Sequence, residues 1–294
     1  MLPLTAQLDA IIDQALGEDL AQGDPTTELL IPPGRRNTAT LVAKAEGVLA
    51  GLEVGLRVFR RVDPDFEIRA LPDPEAERPL ADGAWLKPGT AIARISGETV
   101  HILGAERVAL NFLQHLSGIA TETSRYVKAV EGLPVRIVDT RKTLPGLRAL
   151  QKYAVTVGGG RNHRQSLGDG ILIKDNHIAA AAARGLSLGD LVRQALRQAP
   201  HTLKVEIEVE TLEQVKETLE AGATLLLLDN MPLARLRQAV ELCQGRALTE
   251  ASGGITLATV RAVAETGVDI ISVGALTHSA RALDMSLEVD WQGR

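Results

Sequence analysis

With 294 residues, 45% of them hydrophobic, and a net charge of only −5, the chain can bury a full core and reads as globular rather than disordered. Aromatic residues make up 2% and no basic stripe is interleaved with them, which argues against a nucleic-acid surface that stacks bases and tracks phosphates. The one cysteine, Cys243, excludes an internal disulfide and suits a reducing cytoplasm, while neither a secretory pattern over Met1 to Asp13 nor an apolar run of the roughly 18 residues needed to span a membrane is present.

A helix is predicted over Leu4 to Leu16, and short strands over Ala39 to Ala45 and Ala91 to Ile95. Between them, Val62 to Pro88 is rich in proline and acidic residues, and Asp63-Pro64, Pro72-Asp73-Pro74 and Asp82-Gly83 read as turns. These elements suggest a small open α/β domain over residues 1–106, with the tail 279–294 packing back on it. From Glu106 onward Val108, Phe112, Leu113, Leu116 and Ala120 recur at helical spacing, the pattern of a long amphipathic helix. The domain boundary is placed there, with a second domain over residues 107–278.

Beyond that helix, apolar strands alternate with helical patterns: Val135 to Val138, Ile171 to Ile173, Val205 to Val209, Leu225 to Leu228, Ala247 to Leu248 and Ile270 to Val273. Alternation of this kind means a parallel sheet. Glu220-Ala221-Gly222-Ala223 and Glu265-Thr266-Gly267-Val268 each close a helix before an apolar strand, a weak echo of one recurring βα unit. Polar residues follow nearly every strand and none carries a dinucleotide fingerprint, so a (β/α) barrel fits better than a doubly wound sheet. Barrels place their chemistry at strand ends. In order these are Asp139 with Arg141, Lys174, Glu208, Asp229, Ser252 and Gly274.

Six basic or imidazole side chains cluster between positions 141 and 174: Arg141, Lys142, Arg161, His163, Arg164 and Lys174. They end buried-looking strands or follow the glycines Gly158-Gly159-Gly160, which points to a pocket for a small, multiply charged anion. Arg141 and Arg164 offer planar forks suited to carboxylates, and Lys174 a compact charge. Glu250-Ala251-Ser252-Gly253-Gly254-Ile255 follows a strand and precedes a helix, so free N–H groups and the positive helix end could hold a phosphate. Val273-Gly274-Ala275-Leu276-Thr277 repeats the pattern one unit later. Glu206, Glu208 and Glu210 alternate along one strand and share a face, with Glu208 nearest its carboxyl end. Glu208 and Asp229 could accept from sugar hydroxyls or from water on Mg²⁺. His163 and His177 lack partners at metal-ligand spacing, so structural zinc is not expected. His101, His115 and His201 read as structural or surface groups.

Many segments also resemble the quinolinate phosphoribosyltransferase family, in order and over nearly the whole length. They are Gly17-Glu18-Asp19-Leu20, Glu106-Arg107, Leu116-Ser117-Gly118-Ile119-Ala120-Thr121, Asp139-Thr140-Arg141-Lys142-Thr143, Asn162-His163-Arg164, Lys174-Asp175-Asn176-His177, Leu228-Asp229-Asn230, Ser252-Gly253-Gly254 and Val273-Gly274-Ala275-Leu276-Thr277-His278. The resemblance implies a (β/α) barrel-like phosphoribosyltransferase domain with a smaller N-terminal open α/β sandwich domain. The implied activity is transfer of phosphoribosyl from phosphoribosyl pyrophosphate (PRPP) to quinolinate with decarboxylation, in de novo NAD biosynthesis. It implies that Thr140, Arg141, His163, Arg164 and Lys174 hold quinolinate, with Arg107 reaching in from a neighbouring subunit of a homodimer or higher oligomer. Lys142 would meet pyrophosphate, Glu208 and Asp229 the ribose and the Mg²⁺ shell, and Ser252, Gly253, Gly254, Val273, Gly274 and Ala275 phosphate groups. Three alternatives stay open: a phosphoribosyltransferase of the same fold with another acceptor, a Schiff-base aldolase using Lys174, and a non-catalytic binding protein that retains the pocket.

Overall fold

The computed structural model describes Leu2, residues 5–76 and residues 78–291. Leu4, where the first helix was expected to begin, and residues 292–294 of the expected tail lie outside them. In chain order the elements are α1 (Thr5–Leu20), α2 (Pro25–Leu30), β1 (Arg36–Ala43), β2 (Gly47–Val48), α3 (Leu52–Val62), β3 (Glu67–Ala70), β4 (Trp85–Leu86) and β5 (Ala91–Glu98). Then come α4 (Thr99–Ala129), β6 (Arg136–Val138), α5 (Arg148–Val157), β7 (Ile171–Ile173), α6 (Asp175–Ala182), α7 (Leu188–Gln198), β8 (Val205–Val209) and α8 (Leu212–Glu220). The last are β9 (Leu225–Asp229), α9 (Leu233–Cys243), β10 (Leu248–Ser252), α10 (Val260–Ala264), β11 (Ile270–Ser272), α11 (Ala275–His278) and β12 (Met285–Asp290).

The first compact unit comprises the chain through Ser124, Leu144–Gly159 and the chain from Ser279. Its four-stranded sheet has the order β12-β1-β5-β3, with antiparallel pairing throughout. Strand β1 alternates as far as Leu41, burying Asn37, Ala39 and Leu41, and then buries Val42 and Ala43 as well, while β12 from the tail forms one edge. Helix α4 buries Val108, Phe112, Leu113, Leu116 and Ala120, the positions its spacing marked. The boundary expected at Glu106 falls instead after Ser124, within α4. An uninterrupted helix has no break in its periodicity to betray a change of partner. Helix α5 also belongs to this unit: a Cβ on Gly158 would stand 2.4 Å from Ala120 O and 2.7 Å from Thr123 Cβ. That glycine serves close packing of α5 against α4, not ligand closure.

One long-range cap organises this unit. Asp82 accepts from Gly51 N at 2.8 Å and Leu52 N at 2.9 Å, the free donors that open α3, and also from Tyr153 Oη at 2.6 Å. The Asp-Gly turn around it is therefore a capping device for a distant helix.

The second unit comprises Arg125–Thr143 and Gly160–His278. Its six strands run parallel in the order β6-β11-β10-β9-β8-β7, so successive βα units lie side by side. This is the barrel-like sheet that the alternation implied. The seam beside β6 is filled by the segment from Arg161 to Arg164. Arg161 N donates to Ile137 O at 2.9 Å, Asp139 N donates to Arg161 O at 3.1 Å, and Arg164 Nη1 reaches Gly170 O, just before β7, at 3.1 Å. The segment follows a glycine run and is too short for a strand signal, yet it carries His163 and Arg164 into the interior.

Strand β10 departs from expectation. It runs from Leu248 through Ser252 rather than ending at Leu248, because Thr249 and Glu250 are polar but buried and hide the strand from a hydrophobicity pattern. Helix α10 begins only at Val260, so no helix start follows Gly253-Gly254 directly.

Candidate active site

Inward residues of a parallel barrel form layers, and two cavities occupy opposite ends of this one. The larger, about 540 Å³, is lined by the strands' carboxyl ends and the segments after them: Lys174 after β7, Glu208 on β8, Asp229 closing β9, Ser252 closing β10 and Ser272 closing β11. Thr140, Arg141, Lys142, His163 and Arg164 join them. The structure thus gathers around one space cations and acids that are far apart in sequence.

The cations face each other closely. Burial and then the Arg141 charge hold the Arg164 guanidinium below its usual range, a mutual repulsion that a bound anion would relieve. Arg141 Nε is buried without a hydrogen-bond partner, a donor with nothing to donate to until a ligand supplies an acceptor. Lys174 Nζ lies 3.5 Å from Glu208 Oε2. Thr140 Oγ1 accepts from Lys142 N at 3.0 Å and shapes the loop that presents Lys142. Gly274 abuts that lysine: a Cβ there would stand 3.1 Å from Lys142 Cδ.

Opposite stand the two acids. Burial, followed by the charge of Asp229, pushes the Glu208 carboxyl above its ordinary range, while Lys174 opposes the rise. Both offer hard oxygen donors of the kind magnesium and its water shell prefer, and a cation between them would relieve their repulsion. Asn230, next in sequence, sits at a φ of 53°, a left-handed conformation that few residues other than glycine adopt. Its N–H donates to Ser252 O at 2.9 Å and its side chain to Asp229 Oδ2 at 2.6 Å. Gly253, at a φ of 98°, closes against it: a Cβ would meet Asn230 Oδ1 at 2.2 Å. Only glycine permits this contact between the β9 and β10 loops.

Several expectations need correction. Val273 is buried and its N–H donates to Val138 O at 2.9 Å, so that donor is spent within the sheet. Ala275 opens α11, a helix of only 4 residues. His163 accepts from Arg164 N at Nδ1, 2.7 Å, which leaves Nε2 as the protonated nitrogen; it faces Glu206 Oε2 at 3.2 Å and Glu250 Oε1 at 3.5 Å. His163 thus turns Nε2 toward these two carboxylates while still lining the cavity. The same assignment argues against a metal at His163, Glu206 and Glu250, although three of their ligand-type atoms lie within 4.8 Å of one another. His177 Nδ1 accepts from Lys174 N at 3.0 Å and steadies the start of α6. Arg107, expected to reach the site of a neighbouring copy rather than its own, belongs to the first unit, where it lines a smaller hollow with Glu18, Asp19, Asn111 and His115.

Asn230, Leu172, Leu227, Glu250 and Ser272 also line the cavity. Period-2 alternation with their neighbours, Glu208 with Glu206 and Ser252 with Glu250, was the available signal for the acids. Nothing in the sequence marked the two leucines as interior to a cavity rather than to a core.

A parallel barrel whose strand termini set facing cations against a pair of acids defines a class: an enzyme that binds small polyanions at the carboxyl end of its sheet. Residues 24–117 match the model of the quinolinate phosphoribosyl transferase N-terminal domain, and residues 119–288 that of its C-terminal domain. The chain belongs to this family. Nicotinate-nucleotide pyrophosphorylase [carboxylating] of Mycobacterium leprae is 46% identical to it over 95% of each chain. The probable nicotinate-nucleotide pyrophosphorylase [carboxylating] of Bacillus subtilis is 41% identical over 96% of this chain and 93% of its own. The solved structure of NadC from Streptococcus pyogenes matches with a TM-score of 0.90 at 41% identity, covering 99% of each chain.

Proposed function

We infer that this chain is a decarboxylating quinolinate phosphoribosyltransferase, joining quinolinate and PRPP to give nicotinate mononucleotide, pyrophosphate and CO₂. The observation that carries the reading is the shared cavity in which Arg141, Arg164 and Lys174 stand opposite Glu208 and Asp229, in a chain of this family. Quinolinate brings two adjacent carboxylates and PRPP several phosphate charges, so both substrates match a cleft rich in fixed donors.

In the reaction the pyridine nitrogen displaces pyrophosphate at the anomeric carbon of the ribose. That carbon gains cationic character, which Glu208 and Asp229 stabilise from their strand ends, while Lys142 accepts charge on the leaving pyrophosphate. Arg141, Arg164 and Lys174 hold the ring carboxylates and fix the nitrogen in line with the carbon it attacks. Glu208 and Asp229 would hold Mg²⁺ bound with PRPP, and the ion would supply further positive charge for the leaving group. The quaternised ring then serves as the electron sink for loss of the carboxylate beside the nitrogen. Ser252, Gly253, Gly254 and the Gly274 turn receive phosphate oxygens.

Arg107 is assigned to the site of a neighbouring copy, which makes a homodimer the smallest complete unit. No helix among the described residues is long and apolar enough to cross a membrane. The single cysteine, buried in α9, supports a cytoplasmic setting. A Schiff-base role for Lys174 is disfavoured because it leaves Arg141 and Arg164, which line the same cavity, without a task.

The test is incubation with quinolinate, PRPP and Mg²⁺ followed by detection of nicotinate mononucleotide, with nicotinate as the competing acceptor. Product from quinolinate only is expected. Folded protein that forms none, or that prefers nicotinate, would overturn the reading.

A further inference from the structure

The decarboxylation leaves a chemical demand that the groups assigned above do not meet. When CO₂ departs, the carbon beside the quaternised nitrogen keeps the bonding pair and must be protonated. Arginines stay charged at any ordinary pH, and Lys174 is committed to carboxylate and Glu208. The barrel interior, however, contains an acid that no other part of the mechanism uses.

Glu250 is buried on β10, with 2% of its surface exposed, and it lines both cavities of the barrel. The upper cavity is the site already described. The lower one, about 260 Å³, is bounded by the first residues of the strands, Arg136, Ile171, Leu225, Leu248 and Ile270, and so opens at the opposite mouth. His163, Arg164 and Glu250 line both cavities.

The position of Glu250 relative to the ring follows from register. Leu172 and Leu227 are the large apolar side chains of the upper cavity and offer the faces on which a pyridine ring packs. Glu250 pairs in register with Leu227 on the adjacent strand, so their side chains share one face and lie side by side. Its Oε1 is buried without a hydrogen-bond partner, and Glu206 Oε1 is in the same state. Burial, followed by the charge of Glu206, pushes the Glu250 carboxyl up to about 7. The other groups turned toward it are His163, whose Nε2 is 3.5 Å away, and Ser272 from β11, with Arg136 and Lys204 at the lower mouth.

We propose that Glu250 is the acid that protonates the ring carbon vacated by CO₂, and that the lower cavity is the path by which it is reprotonated from solvent. This rests on the phosphoribosyl-transfer reading above. In the step, the bond from ring to carboxylate breaks and its electron pair stays on the ring carbon. That pair takes the proton from the Glu250 hydroxyl, leaving Glu250 as carboxylate, and a water in the lower cavity returns a proton. One solvent proton is consumed per turnover. Until the carbon is protonated, loss of CO₂ can reverse, so a missing acid slows net CO₂ release.

The experiment compares wild type with Glu250→Gln, which keeps size and shape but cannot donate the proton. Pyrophosphate and CO₂ release are each followed in a single turnover on quinolinate, PRPP and Mg²⁺. In the variant, pyrophosphate release should persist at a rate within about threefold of wild type, while CO₂ release falls on the order of 100-fold, the scale of a lost general acid. Glu250→Asp should recover part of that loss. CO₂ release unchanged in Glu250→Gln, or both releases falling together, overturns the proposal.

Should the variant not fold, wild type alone decides: CO₂ release should decline above about pH 7 while pyrophosphate release does not. A parallel decline of both counts against Glu250. Wild type that releases neither product defeats the parent reading, whereas release of both by wild type and Glu250→Gln alike defeats only this inference.

Discussion

Lys174 Nζ and Glu208 Oε2 stand 3.5 Å apart at the carboxyl ends of neighbouring strands β7 and β8. The cation assigned to quinolinate and the acid assigned to the sugar thus touch, and the two substrates must meet between them. Glu208→Gln preserves the shape and removes the charge. Its kcat should fall about 100-fold or more, with KM for quinolinate changed little, since the charge matters most when the anomeric carbon becomes cationic. Steady-state kinetics in both substrates checks this, and an unchanged kcat would remove Glu208 from the mechanism.

Arg141, with its buried and unpartnered Nε, should act mainly in binding. Arg141→Ala deletes charge-assisted hydrogen bonds worth about 1.5–3 kcal/mol each, so quinolinate affinity should drop roughly 10- to 100-fold or more. Titration calorimetry with quinolinate reads the loss directly. Arg141→Lys should recover little of it, because a point charge does not reproduce the fork.

Gly253 tests the junction between the β9 and β10 loops. In Gly253→Ala the new methyl group would collide with Asn230 Oδ1 at 2.2 Å, on a backbone with φ of 98°. Strain on the order of 1–3 kcal/mol is expected, together with a raised KM for PRPP and a smaller effect on quinolinate. Equal effects on both substrates would argue that the junction does not shape the phosphate side.

Asp82 should be a strong stability determinant although it lies far from the cavity residues in sequence. Asp82→Ala strands the Gly51 and Leu52 donors and the Tyr153 hydroxyl, and should cost about 3 kcal/mol or more. Thermal melting of the variant measures it. A change in melting temperature of less than a degree would mean that water replaces the cap without loss.

The pH dependence of stability has a defined sign at Glu250. Its folded-state pKa of about 7 lies above the ordinary value of 4.5, so between these limits the folded chain binds a proton that the unfolded chain has lost. Stability therefore falls as pH rises from about 4.5 to 7, by on the order of a few kcal/mol. Glu250→Gln should flatten that slope, gaining on wild type at pH 8 relative to pH 5 in denaturant titrations. Parallel curves for the two proteins would show that the carboxyl is not protonated in the fold.

Much of this protein was determined locally, by residues whose preferences need no partner. The period of β8 and of α4, the apolar strands alternating with helices, and the order of the segments shared with the family were all legible, because pleat and helical turn repeat over a few residues. So was the identity of most cavity cations, since charges that end apolar strands stand out in any reading. The tertiary structure alone decided which of them share a space. Arg161 lines only the lower cavity while Arg164 lines both and bonds Gly170 O before β7, a placement made by the seam segment's bridge to β6. It also decided that His163 turns Nε2 toward Glu206 and Glu250, that Asp82 caps a helix thirty residues away, and that β10 runs through its buried polar residues. These outcomes depend on which atoms become neighbours after closure, and spacing along the chain does not encode distance across a barrel.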